Sequence, residues 1–370
     1  MASWFIPQEN RNSNLFFKSF ACNTSAIQPV VVRVPWRASL HHLRYLADKL
    51  SVYLMLIYIS GGMRAFFYWL IFLTNLFILN NLADCQSEKT LRRIEYDLSV
   101  TDKVYVLPPA LYEISGMTEA DASTIACIQD EHGIIFFYDI NKNRIERQIV
   151  FGSEGDYEDI VRVDKTLYIM RSDEFLIEIK DFNSDNFKSA SYSTGIPGRN
   201  TEGLCYDRKN NRLLIVPKEI PDDNPENKDK RFIYGFDLGS KKLIKGAVLR
   251  LDIKAIEKFA LENNIKVPLK GKKGEKKEPD IKLKISAIGI HPISGRLYVL
   301  SGPERLLLVF NMNGNIEYLQ RLDKDLFPQP EGITFMKNGD MFISNEGRHA
   351  EATLIRFNYN LSLLPVTEPL

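Results

Sequence analysis

Tryptophan is almost missing from this chain. Its 370 residues hold three, Trp4, Trp36 and Trp69, all near the start, so the rest carries no WD-type repeat signature. Cysteine is nearly as scarce. Cys22, Cys85, Cys127 and Cys205 are too scattered for a zinc site, which wants close pairs. Cys127 and Cys205 sit in apolar runs and read as buried thiols. Charge of one sign is missing too: 48 Lys and Arg stand against 47 Asp and Glu, a net +1. Without a basic field, or a basic stripe interleaved with aromatics, nucleic acid is excluded as a partner. No nucleophile elbow, zinc motif or phosphate-cradling glycine loop occurs. What is present, 45% hydrophobic and 26% charged residues, is ordinary globular composition and ample for a core.

The N-terminal part differs from the remainder. Residues 1–62 read as poorly structured, rich in Asn and Ser, with one apolar patch at Val52–Ile59. Met63-Arg64 then opens an apolar run from Ala65 to Leu79, the length of a secretory h-region rather than a comfortable membrane span. It ends at Leu82-Ala83-Asp84-Cys85, which resembles a bacterial lipoprotein signal, with Asp84 where that pattern prefers a small residue. Residues 63–85 are therefore expected to be a lipoprotein-like signal or membrane anchor. Met63 is then a candidate start codon, and 1–62 an over-extended gene start. Either form places the domain in the cell envelope, tethered to a membrane and facing outside the cytoplasm. A polar linker, residues 86–90, leads to the folded region at 91–370.

That region is built on one short stretch, Gln329-Pro330-Glu331-Gly332-Ile333, of which weaker copies recur. Ser115-Gly116-Met117, Glu158-Asp159-Ile160, Glu202-Gly203-Leu204 and Ser286-Ala287-Ile288 each start an apolar strand, and the first positions fall 43, 44, 84 and 45 residues apart. A period near 44 made of short strands is the mark of a β-propeller, about four strands to a blade. The long interval contains a Pro- and Asp-rich loop, Ile220–Lys230. It also contains a helical, lysine-rich segment at 252–280, with the helix at Ala255–Asn263. Neither has strand periodicity, so both read as insertions. The expectation is an all-β propeller of five blades, or six if terminal strands form one more. Leu91–Leu98 alternates like an outer strand and is expected to complete the last blade, closing the ring and protecting its edges.

First strands line a propeller's channel, so the register brings Glu158, Glu202 and Glu331 together, with Ser115 and Ser286 at the other two stations. Glu113 joins them by strand alternation. Carboxylates crowding one mouth repel. Either some stay protonated, basic groups intrude, or a hard cation sits among them. Calcium suits such oxygen donors, and Asn200 and Asn345 would add carbonyls. The competing reading is that the glutamates cap backbone groups where strands begin. Polar ends of the second strands supply Arg171 and Lys218, which either hold an anionic ligand alongside Ser115 and Ser286 or neutralise the carboxylates. His291, at a turn, and Glu346 are the available proton carriers, with packing the alternative for His291.

Several blocks, Leu107–Met117, Ile128–Asp139, Phe151–Ile160, Asn200–Asp207, Ser286–Ser301 and Gln329–Gly347, resemble the SdiA-regulated (YjiK/CarP-like) family over roughly 91–358. The resemblance implies an envelope-associated propeller linked to calcium and similar to phytase-like and gluconolactonase-like propellers, without fixing a reaction. Asp159 stands where that family usually has Gly, and Ala287 interrupts a usual Ser-Gly pair. Three functions follow as alternatives. One is a calcium-binding module that binds or senses an envelope protein or anionic small molecule. The others are a calcium-dependent phosphoesterase or lactonase, and a metal-free scaffold.

Overall fold

The computed structural model describes residues 14–23, 26–35, 93–198, 200–218, 225–271, 277–348 and 351–364. The signal-like segment at 63–85, the linker at 86–90 and most of the lysine run lie outside them. The chain forms two compact units, 1–89 and 90–370. In the first, strands β1 (Asn14–Asn23) and β2 (Ala26–Pro35) pair antiparallel from Asn14 opposite Pro35 to Asn23 opposite Ala26.

The second unit begins with β3 (Lys103–Val106) and then lays down four-stranded blades in sequence order. Blade 1 is β4 (Ile114–Glu119), β5 (Thr124–Gln129), β6 (Ile134–Asp139) and β7 (Arg144–Val150). Blade 2 is β8 (Tyr157–Val163), β9 (Thr166–Arg171), β10 (Phe175–Lys180) and β11 (Lys188–Ser193). Blade 3 is β12 (Thr201–Asp207), β13 (Arg212–Pro217), β14 (Lys230–Asp237) and β15 (Lys242–Asp252). An insertion follows, with helix α1 (Ile253–Glu262) and a two-residue ladder between β16 (Leu269–Lys270) and β17 (Glu278–Pro279). Blade 4 is β18 (Ala287–Ile290), β19 (Leu297–Ser301), β20 (Leu306–Phe310) and β21 (Ile316–Arg321). Blade 5 is β22 (Pro330–Phe335), β23 (Met341–Asn345) and β24 (Thr353–Phe357), completed by β3. Each inner strand touches the next, and β22 touches β4, closing a ring of five blades among the described residues. No sixth blade forms among the described residues.

Sequence composition explains the layering. Middle strands such as Leu213–Val216, Leu297–Leu300 and Leu306–Phe310 are unbroken apolar runs because both faces of a blade press on neighbouring blades. Five apolar clusters result, each drawing on more than one blade; Tyr168 and Met170 of blade 2, for instance, pack with Leu213 and Ile215 of blade 3. Outer strands β7 and β11 face water and are correspondingly polar. The inserted helix buries Ile253, Ile256 and Ala260 on one face and is capped by Asp252, whose carboxylate accepts the Ala255 N–H at 3.1 Å.

Ring closure corrects one expectation. The N-terminal segment does complete blade 5, but the strand is Lys103–Val106, pairing with β24 from Arg356 opposite Lys103 to Thr353 opposite Val106. Residues 93–98 form no strand. Their alternation serves a different purpose: Ile94, Tyr96 and Leu98 enter the core shared by blades 4 and 5, beside Tyr298, Leu300, Ile333 and Phe335. Glu95, 1% exposed, makes an ion pair with Arg296 and accepts the Tyr298 hydroxyl at 2.8 Å. The Tyr96 hydroxyl donates to the Gly339 carbonyl.

The repeated motif's glycine has a packing cause. A Cβ on Gly116 would stand 2.5 Å from the Asp159 Cα, and one on Gly332 would stand 2.6 Å from the Ser344 Oγ and 2.9 Å from the Ser115 carbonyl oxygen. Inner strands converge here, so only a hydrogen fits. Gly116→Ala is expected to cost about 1–3 kcal/mol, the usual penalty of overpacking against backbone. A urea midpoint equal to that of the unaltered chain would show that the strands have room to spare.

Candidate functional site: the acidic mouth of the axis

A local irregularity aims the motif's glutamates. Strand pairing skips a residue between Tyr157 and Asp159, between Thr201 and Gly203, and between Pro330 and Gly332. The skipped residues are Glu158, Glu202 and Glu331. In blade 1 the skip spans Ser115 and Gly116. A β-bulge leaves its extra residue outside the ladder and re-aims the side chain. In blade 4, Ser286 precedes β18 and donates its backbone N–H to the Leu300 carbonyl at 2.9 Å.

These residues surround a cavity of about 320 Å³ at one end of the axis. Seven of its lining residues are acids: Glu113, Asp130, Asp156, Glu158, Glu202, Glu331 and Glu346. Two are cations, Lys218 and Arg348, and Ser115, Asn200 and Ser286 complete the polar set. The charge is thus far from balanced within the mouth. Lys218 pairs with Glu202, and Arg348 donates to Glu346 at 3.0 Å. Gln329 donates to Glu331 at 3.2 Å and also to Glu346.

Titration follows the crowding. Burial, with Glu202 and Asp156 adding like charge, pushes Glu158 up to about 8 although Lys218 opposes it. Burial likewise lifts Glu331 to about 7, against hydrogen bonds from Ser286 and Gln329. Asp130 rises to about 6 through burial and the charge of Glu113, and its Oδ1 has no hydrogen-bond partner among the described residues. Burial raises Glu202 despite Lys218. Lys218 is itself held above its usual value because bonds to Glu202 outweigh the opposing effect of burial.

The mouth therefore gathers Glu113, Glu158, Glu202, Glu331, Ser115, Ser286, Asn200, Lys218 and Glu346. Three other sequence candidates stand elsewhere. Arg171 is not part of the lining; it bonds Asp173 at 2.6 Å and lies 5.9 Å from the Phe175 ring. Asn345 is fully buried, its amide donating to the Leu326 carbonyl at 3.1 Å and the Thr353 hydroxyl at 2.9 Å. His291 is also fully buried, lines a second cavity, and packs against Tyr359 and Phe335 at 5.2 and 5.1 Å. Its Nδ1 accepts the Ser294 N–H at 3.0 Å, the turn role weighed for it. Asp156 and Arg348 are mouth residues that sequence reasoning missed. Asp156 had a signal, since it precedes Glu158 by the same two positions that separate Glu113 from Ser115.

Asp159 replaces the motif glycine and does something glycine cannot. Its carboxylate oxygens accept the Ile160 N–H at 2.8 Å and the Leu204 N–H at 2.7 Å, tying blade 2 to blade 3 beneath the mouth. Full burial pushes its pKa well up.

The donor chemistry fits a hard cation: oxygen donors only, excess negative charge, and a buried carboxylate oxygen without a partner. Among the described residues, no three acidic, His or Cys side chains stand grouped as metal ligands in the arrangement seen. No helix of the described residues is long and apolar enough to cross a membrane.

No curated protein matches the chain. Solved structures similar to it include a glutaminyl cyclase of Myxococcus xanthus, 11% identical over 70% of this chain and 95% of that one, with a TM-score of 0.48. A luciferin-regenerating enzyme is 7% identical over 75% and 98%, with a TM-score of 0.40. A streptogramin B lyase is 11% identical over 69% and 97%, with a TM-score of 0.39. At these levels none of them bears on the chemistry of this chain. The SdiA-regulated family model matches residues 251–349, which take in the inserted helix, blade 4 and all of β22 and β23. Over that stretch the chain resembles the SdiA-regulated family, and its five closed blades make it a β-propeller.

Proposed function

We propose that the acidic mouth binds a hard divalent cation, calcium by its donor chemistry, and that the propeller acts as an extracytoplasmic binding or sensing module of the cell envelope. The observation that carries this reading is the imbalance of seven carboxylates against two cations around one opening, with Glu158 and Glu331 pushed toward neutrality. A divalent ion would relieve that repulsion. Glu158, Glu202 and Glu331 would hold it, with Glu113 and Asp130 beside them and Asn200 offering a carbonyl. The envelope part of the reading rests on the signal-like residues 63–85.

Calorimetric titration of calcium into chelator-treated protein, beside a thermal melt, tests it. Binding should raise the melting temperature, since a ligand preferring the folded state stabilises it. Glu158→Gln, Glu202→Gln and Glu331→Gln should each weaken affinity at least tenfold. No heat and no shift would leave the metal-free scaffold as the better reading.

The same pKa values favour a second reading, a calcium-dependent phosphoesterase or lactonase. A glutamic acid near 7 or 8 is poised to give a proton at neutral pH, and Lys218 stands beside it to meet an anionic group. His291 takes no part, because it lines the other cavity. Turnover of phosphoesters or lactones that needs calcium and is lost in Glu331→Gln would establish it.

A further inference from the structure

A second and larger cavity, about 690 Å³, lies around the later residues of the same inner strands. No residue lines both cavities. The motif residues of the acidic mouth are each followed two positions on by an apolar one: Met117, Ile160, Leu204, Ile288 and Ile333. All five are buried, and each belongs to a different interblade cluster. They separate the acidic mouth from the second cavity and give that cavity its apolar floor. Ile290, Phe335 and Met312 extend the apolar wall.

The charge of this end is the reverse of the other. Arg162, Arg208, Lys209, Arg212 and Lys337 line it against Glu119, Asp164 and Asp207. Asp207 is already engaged by Arg212 at 2.8 Å and by Asn210 at 2.7 Å. Arg162 is braced, its Nε donating to the Asp164 carbonyl at 2.7 Å and its Nη1 to the Ala120 carbonyl. Arg208, Lys209 and Lys337 are exposed at the rim. A volume in the small-molecule range, an apolar floor and a surplus of rim cations select for a ligand with both characters.

We propose that this second cavity is a binding site for a small amphipathic monoanion, a carboxylate carried on an unbranched or aromatic apolar body. The apolar body lies along Ile288, Ile290, Ile333 and Phe335, and the carboxylate reaches the Arg208, Lys209 and Lys337 rim. The site is independent of the cation reading, because it uses no residue of the acidic mouth.

Decanoate is the probe, titrated calorimetrically at low ionic strength into the full chain, with decan-1-ol as the uncharged match. Saturable decanoate binding is expected. It should weaken at least tenfold in the Arg208→Glu, Lys209→Glu, Lys337→Glu triple variant, whereas decan-1-ol should change less than twofold. These rim side chains are exposed, and an unchanged melting temperature verifies folding. Added salt should weaken decanoate in parallel, and Glu202→Gln should leave it unaffected. Absence of saturable decanoate binding overturns the proposal. So does equal decanoate binding by the triple variant, which would place the fatty anion on apolar surface elsewhere.

Discussion

Glu95→Ala is expected to lower the melting temperature by on the order of 10 °C, the largest effect of any single substitution considered. Removing one partner of a buried ion pair costs about 3–5 kcal/mol, and each kcal/mol moves a domain of this size by about 2–4 °C. Here the partner left behind is Arg296, with a side chain only 15% exposed, and the Tyr298 hydroxyl loses its acceptor as well. Burial alone would push the Glu95 pKa up, but bonds from Tyr298 and Arg296 outweigh it and hold the carboxylate below its usual range. A depressed carboxylate contributes stability above its unfolded pKa and loses it as pH falls through the folded one. Glu95→Gln, which keeps an acceptor for Tyr298, should fall between the two. Replacing both partners by apolar residues, Glu95→Leu with Arg296→Met, should restore much of the loss, because neither charge is then stranded. A melt of Glu95→Ala within a degree of the unaltered chain would mean that residues 93–98 merely rest against the propeller.

Metal-free protein should melt about 5 °C lower at pH 8.5 than at pH 6.5, and calcium should remove that difference. The sign follows from Glu158 at about 8 and Glu331 at about 7. A carboxyl whose folded pKa is raised contributes stability below its unfolded value, which is lost as pH climbs through the folded value. Both groups ionise between 6.5 and 8.5, each pKa unit being worth about 1.4 kcal/mol before solvent screening. The window avoids two opposing contributions. Glu95 and Glu178, both depressed, act only below the ordinary carboxylate range. His291, lowered by burial, favours the folded state as pH rises up to the usual histidine value and then is neutral in both states. A Glu158→Gln, Glu331→Gln double variant should have a shallower slope across the window, only the raised Asp159 and Glu202 still contributing to it, and should be more stable than the parent at pH 8.5. A parent equally stable at both pH values would show that the mouth carboxylates are compensated within the protein.

The blades were legible because a propeller repeats one demand. Every inner strand needs a small or specially placed residue at the same point, and every second strand must be apolar on both faces, so Glu202-Gly203-Leu204 and Glu331-Gly332-Ile333 announce themselves by spacing. The meeting of Glu158, Glu202 and Glu331 was legible for the same reason. Their bulges were not, since the extra residue is a matter of pairing between strands and leaves no mark in one of them. Residues 93–98 were misread because alternation reports burial on one side and not the presence of a ladder partner. The aim of Arg171 depended on Asp173, two positions away and indistinguishable in sequence from its other acidic neighbours. Nothing in Ile290-His291-Pro292 says at which end of its strand the channel is acidic.

Blade 5 cannot be finished until the chain has been made through β24. Blades 1 to 4 pair strands close in sequence, whereas β3 waits for β24 and the Tyr96 hydroxyl waits for the Gly339 carbonyl, 243 residues later. Contacts of such separation are made slowly, because the entropy of closing the loop is lost before they reward it. While the chain is being synthesised, β4 of blade 1 has no inner-strand neighbour on its open side, and β3 presents an unpaired edge. A chain released before β22 would remain an open arc with a sticky strand at one end, a template for pairing with other copies. The circle thus hides its own edge only in a chain that has been made through β24.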